Sequence, residues 1–271
     1  MTRPKTALAA AAFLAATAPA VASPAIGLIG DKTLVIFDTE TPDISKRVDA
    51  DGVDKLVGID WNCKSGLIEG VTPEGGIVSL DTKTGKAKKI AQMDQTIPTG
   101  ETPVVIDINP ATQAIRFMTG STNQRTDPET GSVTIDSQLA YVSSDPNAAT
   151  LPTIVAAAYT NSHGTPKTTA LYGIDAMAGV LVHQTMPNDG TLKTVGKLGV
   201  EPSDSYAFDI ETTENGDNIA WLVADTSIYR VDLKTGKASM TGRLSGLEDG
   251  TSVKVKLKDF SVIGRETKSA M

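Results

Sequence analysis

The chain is short of the residues that most often carry chemistry. Cysteine occurs once in 271 residues, as Cys63, so an internal disulfide is excluded and stability has to come from packing. Histidine occurs twice, as His163 and His183, and the two do not stand at zinc-ligand spacing. Aromatic side chains number two Trp, five Tyr and five Phe, too few for the stacking platforms that hold nucleic acid. There is no Gly-x-Ser-x-Gly elbow, phosphate loop or dinucleotide fingerprint, and no Cys–His arrangement that spacing defends. Positive charge is also in deficit. A formal net charge of −7 disfavours non-specific attachment to DNA or anionic lipid.

Long apolar runs are confined to the start. Arg3 and Lys5 precede an apolar stretch from Ala7 to Ala16, and Ala20-Val-Ala22 is a small-x-small cleavage signal before Ser23. This pattern predicts a secretory signal peptide over residues 1–22 and an exported chain, periplasmic or extracellular, over 23–271. Losing Arg3 and Lys5 takes the net charge to −9. The apolar run is too short to span a bilayer, and no later stretch is apolar enough, so membrane insertion is not expected.

What the chain has instead is a recurring turn. It reads Asp38-Thr-Glu-Thr-Pro42, Asp81-Thr-Lys-Thr-Gly85, Asp127-Pro-Glu-Thr-Gly131, Asp175-Ala-Met-Ala-Gly179 and Asp232-Leu-Lys-Thr-Gly236. The Asp can accept its own loop's N–H groups, and the Gly can take a positive φ. Between turns, apolar residues alternate or form short runs rich in Val, Ile, Thr and Tyr, so strands are predicted and helices are not. Residues 56–93 read as one four-stranded meander, and the order recurs over 104–136, 153–197 and 206–243. In the third of these the Asp175 turn falls one strand out of phase. Three N-terminal strands, Ile26 to Ile29, Thr33 to Phe37 and Ile44 to Val48, lack a fourth. Phe260 to Ile263 is left over at the other end. Together they complete a blade. The prediction is a single all-β domain, a five-bladed propeller closed by its two ends. Six blades are the alternative if residues 137–158 hold a further unit, and an open sandwich is another.

Four stretches carry a family resemblance: Leu56-Val-Gly-Ile-Asp-Trp61, Val105 to Arg116, Val155-Ala-Ala-Ala-Tyr-Thr-Asn161, and Asn188 to Gly199. In them the chain resembles the exported bacterial proteins grouped as DUF4394, from about residue 27 to 264. The resemblance implies a propeller-like exported domain with no established activity. The Asp-Arg pair usual in the family before the Ile-Arg strand is here Gln113-Ala114.

Four carboxylates occupy similar places in the repeat. Asp60, Asp107, Asp209 and Asp259 each sit within a first strand, the strand that lines a propeller's channel. In one reading each accepts backbone N–H groups of a neighbouring turn, since a buried charge needs partners. In the other they converge on the axis and hold a hard cation such as Ca2+. Candidate ligand contacts are Tyr159, Asn161 and His163, in or beside the segment Asn161 to Pro166, and the Arg116 and Arg125 pair, which suits an anion. Two functions follow as expectations. The first is a non-catalytic exported propeller binding a partner protein or small ligand. The second is a Ca2+-dependent, lactonase-like hydrolase that polarises a carbonyl at the axial carboxylates.

Overall fold

The computed structural model describes residues 23–96, 98, 103–247 and 256–263, and the predicted signal peptide lies outside them. The first group of strands is β1 (Pro24–Ile29), β2 (Thr33–Asp38) and β3 (Lys46–Asp49). The next is β4 (Gly58–Asn62), β5 (Leu67–Val71), β6 (Gly76–Leu80) and β7 (Ala87–Gln92). Then come β8 (Val105–Ile108), β9 (Ile115–Thr119), β10 (Thr122–Thr126) and β11 (Val133–Ile135). A two-residue strand, β12 (Ala140–Tyr141), precedes β13 (Ile154–Tyr159), β14 (Leu171–Asp175), β15 (Val180–Met186) and β16 (Thr191–Lys197). Last are β17 (Tyr206–Thr212), β18 (Asn218–Ala224), β19 (Ser227–Val231), β20 (Ala238–Arg243) and β21 (Leu257–Val262).

These form five sheets, the blades of a propeller, antiparallel throughout except for β12. The first blade has the order β21-β1-β2-β3, so the last strand supplies its innermost position, with Phe260 opposite Gly27 and Val262 opposite Ala25. The ends of the chain thus share one blade. Residues 137–158 make no sixth blade. Their strand β12 adds in parallel to β16, with Ala140 opposite Thr191, as a fifth, outer strand of the fourth blade.

Apolar residues do not collect in one central core. Each junction between neighbouring blades has its own cluster, for example Phe37, Trp221 and Phe260 between the fifth and first blades. Strand alternation requires this arrangement. Successive side chains point to opposite faces of a blade, both faces are covered by neighbours, and so both must be apolar.

A ring of turns locks the blades at their outer ends. Backbone N–H of Asp51, just past β3, donates to Gly85 O, and that of Asp94, just past β7, to Gly131 O. A Cβ on Gly131 would lie 1.9 Å from Gln92 O, and one on Gly85 would lie 2.1 Å from Asp49 O. Glycine is required there both by the positive φ and by this backbone approach. Gly236 makes the same approach to Gly196, and Pro42 O accepts the N–H of Ser245. The fourth blade's member of this series is not the Asp175 turn. It is Pro187-Asn-Asp-Gly190, where a Cβ on Gly190 would lie 2.2 Å from Gln138 O. This accounts for the phase shift in the sequence. Asp175 is buried and has other work. Its Oδ2 accepts the Tyr141 hydroxyl at 2.6 Å and the Thr153 N–H at 3.2 Å, anchoring the crossover that carries β12.

Candidate functional site

The inner strands β21, β4, β8, β13 and β17 follow one another around the axis. Each is the inner edge of its sheet, with N–H groups that no further strand pairs. The axial aspartates answer this need in one rotational sense. Asp259 Oδ2 accepts the N–H of Ile59 at 2.9 Å, Asp60 Oδ2 that of Ile108 at 2.7 Å, and Asp107 Oδ1 that of Tyr159 at 3.1 Å. Asp209 Oδ2 accepts the N–H of Val262 at 2.5 Å. Four of five junctions are stapled by a carboxylate. At the fifth, between β13 and β17, the loop after β13 does the work. Asn161 N–H donates to Asn218 Oδ1, and Ser162 bonds Thr212 Oγ1 and Ile210 O.

Three of these carboxylates also converge. Oxygens of Asp60, Asp107 and Asp209 lie within 4.8 Å of one another. Asp259 stands two residues away along β21, and Ser261 takes that strand's place in the layer, its hydroxyl donating to Asp60 Oδ1 at 2.8 Å. A cavity of about 10 Å3 lies there, lined also by Cys63, Tyr159 and Ser162, with room for one water or one ion. The segment containing His163 reaches across the mouth, and Cys63 Sγ lies 3.7 Å from Gly164 O.

The electrostatics match this crowding. Burial, and then the charge of Asp209, raises Asp60 well above the usual carboxylate range. Asp107 is raised likewise by burial and by Asp60 and Asp209. Burial pushes Asp209 up to about 6. Asp259, not wholly covered by area but enclosed by the ring, is pushed up to about 8 by desolvation, with a smaller push from Asp209. Most oxygens in the layer are engaged, since Asp60 Oδ1 also accepts the N–H of Trp61 and Asp209 Oδ1 that of Ile210. Asp107 Oδ2 is the exception, accepting no hydrogen bond among the described residues.

A second site lies off the axis. Between the third and fourth blades a polar cleft of about 860 Å3 opens, lined by Asn109, Arg116, Arg125, Thr134, Tyr159 and Asn188 among others. It forms because the row Asp107, Arg116, Arg125, Thr134 runs across the third blade on the face turned to the fourth. Arg116 is only 3% exposed and is the hub. Its guanidinium donates to Tyr159 Oη at 3.2 Å, Asn123 Oδ1 at 2.9 Å, Asp136 Oδ2 at 2.5 Å and Asn188 Oδ1 at 2.9 Å. Arg125 differs. Its side chain is 39% exposed and lines the cleft, and among the described residues it donates only through Nε, to Asp136.

Of the five ligand contacts expected from sequence, the structure brings Tyr159, Arg116 and Arg125 together in this cleft. Asn161 and His163 are elsewhere, on the segment beside the axis. Asn161 is committed to the blade junction, with φ of 62° and its amide donating to Thr168 O. Sequence reasoning missed Asp136, Asn188 and Ser261. Asn188 lay in a segment already singled out by resemblance. Nothing in the spacing marked the other two.

Fold and sites together define a five-bladed β-propeller with an acidic axis and one large polar cleft between blades. The chain belongs to the family described as Domain of unknown function (DUF4394), which matches residues 33–254. Among solved structures it is similar to a protein of unknown function from Bacteroides caccae, at 9% identity over 87% of this chain and 77% of that one, with a TM-score of 0.44. It is similar at 12% identity to a chain of a nidogen/laminin complex, over 88% and 84%, with a TM-score of 0.47. An auxiliary nutrient binding protein from Bacteroides thetaiotaomicron is similar at 11% identity, over 73% and 56%, with a TM-score of 0.44. A search of curated proteins finds no match.

Proposed function

We propose that the chain is an exported, non-catalytic propeller that recognises a small polar ligand in the cleft between its third and fourth blades. The observation that carries this reading is the division of labour between two arginines. Arg116 is consumed by four protein acceptors, while Arg125 keeps its outer guanidinium nitrogens for something else. A guanidinium held through Nε by Asp136 is pre-oriented, and its two terminal nitrogens match a carboxylate. Hydroxyl and amide groups of Thr112, Ser132, Thr134 and Asn109 supply further donors and acceptors nearby. The cleft's size is that of a small-molecule site. Its ionisable lining is Arg116, Arg125, Tyr159, Asp127 and Asp189. Asp127 already accepts two turn N–H groups, so the set favours recognition over turnover.

Calorimetric titration with a panel of neutral sugars and the matching uronic acids tests this. The expected result is binding of an acidic member that weakens at least tenfold in Arg125→Ala. A panel without any binder, or binding that Arg125→Ala leaves unchanged, overturns the reading.

The axial layer supports a second reading, a divalent cation such as Ca2+ held by Asp60, Asp107 and Asp209, with Asp259 just outside. The favouring observation is the unengaged Asp107 Oδ2 in a layer whose carboxylates repel one another. Hard cations take several oxygen ligands and would relieve that repulsion. The lactonase-like hydrolase depends on this cation. If Ca2+ leaves the melting temperature unchanged and elemental analysis of the purified chain finds no stoichiometric metal, both the cation and the hydrolase are discarded.

A further inference from the structure

A third opening lies across the ring from the polar cleft, and its chemistry is opposite. It has a volume of about 750 Å3 and is bounded by the second blade and by Ile263 of the first. Its floor is apolar: Trp61, Ile68, Leu80, Ala87 and Ile263. Trp61 is only partly covered, so part of its indole is open to the groove. The rim is cationic, formed by Lys83 and Lys86, both exposed. Among the described residues no ion pair joins either of them to a carboxylate. The one acid at the rim, Asp81, is exposed; its Oδ1 accepts the N–H groups of Lys83 and Thr84 at 2.8 and 3.2 Å, and these bonds, with a smaller contribution from the Lys83 charge, hold its carboxyl below the usual range. The turn bearing both lysines is also braced. Lys46 Nζ of the first blade donates to Thr82 O at 3.2 Å and Lys83 O at 2.8 Å.

We propose that this groove is a binding site for a small amphipathic anion: an apolar, ring-sized body carrying one carboxylate, sulfonate or phosphate. The apolar floor takes the body and the lysine rim takes the charge. Two features argue for an anion rather than a neutral apolar ligand. Two amines stand on one rim of a chain whose net charge is −7, and neither forms an ion pair with a carboxylate among the described residues. Lysine suits the task because its ammonium is a mobile point charge, able to reach an anionic head whose position varies with the body it carries. The site is independent of the polar cleft, since the two share no lining residue.

The test uses two probes with the same aromatic body. One is 1-anilinonaphthalene-8-sulfonate, and the other is N-phenyl-1-naphthylamine, which lacks the sulfonate. Each is titrated into the folded chain and followed by probe fluorescence and by Trp emission. Trp61 lines the groove, whereas Trp221 is fully buried in another junction. The sulfonate is expected to saturate one site and to perturb Trp emission, with the neutral probe at least tenfold weaker. The double variant Lys83→Glu/Lys86→Glu, both at exposed positions, is expected to weaken the sulfonate at least tenfold and leave the neutral probe unchanged. Arg125→Ala is expected to bind the sulfonate as the parent does. Equal affinity for the two probes, insensitivity to the double charge reversal, or loss of binding in Arg125→Ala each overturns the proposal. The last outcome would place the probe in the polar cleft.

Discussion

Replacing Asp107 by Asn should stabilise the protein, and by an amount that grows with pH. The side chain does one structural task, accepting the Tyr159 N–H through Oδ1, and an amide oxygen can do the same. Its other oxygen has no hydrogen bond to lose, so an NH2 group there orphans nothing and can donate to the carboxylates of Asp60 or Asp209. The charge, by contrast, is costly. Two unit charges 4.8 Å apart repel by about 3.5 kcal/mol at an effective dielectric constant of about 20. Protonation relieves this at low pH. Because burial and its neighbours raise the folded-state pKa of Asp107 above the unfolded value, the folded chain holds the proton more tightly. The stability this represents is complete below the unfolded value near 4 and is lost as pH rises through the folded one. Asp209, raised from 3.8 to about 6, loses about 3 kcal/mol over the same climb. Asp107→Asn removes that repulsion, so it should match the parent near pH 4 and exceed it by about 3.5 kcal/mol at pH 8, a shift of about 7–14 °C in melting temperature for a domain of this size. The assay is a series of thermal melts from pH 4 to 9 in EDTA. A variant that melts below the parent at pH 8, or a gap that does not change with pH, refutes the reasoning. Repeating the series in Ca2+ separates the two readings of the axis, because a bound cation would stabilise the parent and not the variant.

The remaining predictions concern the two staple rings and the cleft. Gly131→Ala should cost more than about 3 kcal/mol in chemical denaturation, since its Cβ would meet Gln92 O at 1.9 Å. Gly179→Ala, at φ of 64° with nothing within 4 Å, should cost only about 1 kcal/mol. A similar loss for both would contradict the outer ring of contacts. Arg116→Met should cost about 3–5 kcal/mol in the same measurement, because it strands a carboxylate, two amide oxygens and a buried hydroxyl. A loss under about 1 kcal/mol would mean that the hub is not formed.

What could be read from the sequence was whatever repeats locally. Strand alternation, hairpin turns and the leftover strands at the two ends are patterns within a few residues of one another, and they led to the ring and its closure. The axial aspartates were legible as a set because each sits beside the same kind of apolar neighbour in its strand. Their partners were not, because Asp60 bonds Ile108 and Asp259 bonds Ile59 only after blades have come side by side. Asp259 and Ser261 show the limit of the repeat argument. Both point to the axis by alternation, and only the stagger between neighbouring inner strands decides which of them meets Asp60. Turn chemistry misled at one place for a related reason. Asp175-Ala-Met-Ala-Gly179 has the right local residues, yet its Asp serves Tyr141 from an inserted crossover, while Pro187-Asn-Asp-Gly190 occupies the equivalent position with different residues.

The cleft carries the same lesson further. Arg116 gathers Asn123, Asp136, Tyr159 and Asn188, and the last two come from the next blade. A buried guanidinium must find acceptors for its donors, so a strand arginine flanked by Ile115 and Phe117 already implied a polar pocket. It could not imply where. The row Asp60, Glu69, Ser79, Lys88 in the second blade is equivalent to Asp107, Arg116, Arg125, Thr134 in the third, and Asp209, Trp221, Arg230, Ser239 is its counterpart in the fifth. In the fifth blade the second-strand position packs Trp221 under Arg230, at 4.6 Å from the ring, and Arg230 pairs with Glu40 of the first blade. That junction is filled and its arginine is satisfied across the seam. In the third blade Asp136, from the arginine's own blade, takes the acidic role, and the seam is left open beside Arg125. One scaffold position is thus closed by an ion pair in one blade and left available in another, and it is this difference, more than the fold, on which the proposal of recognition in the cleft rests.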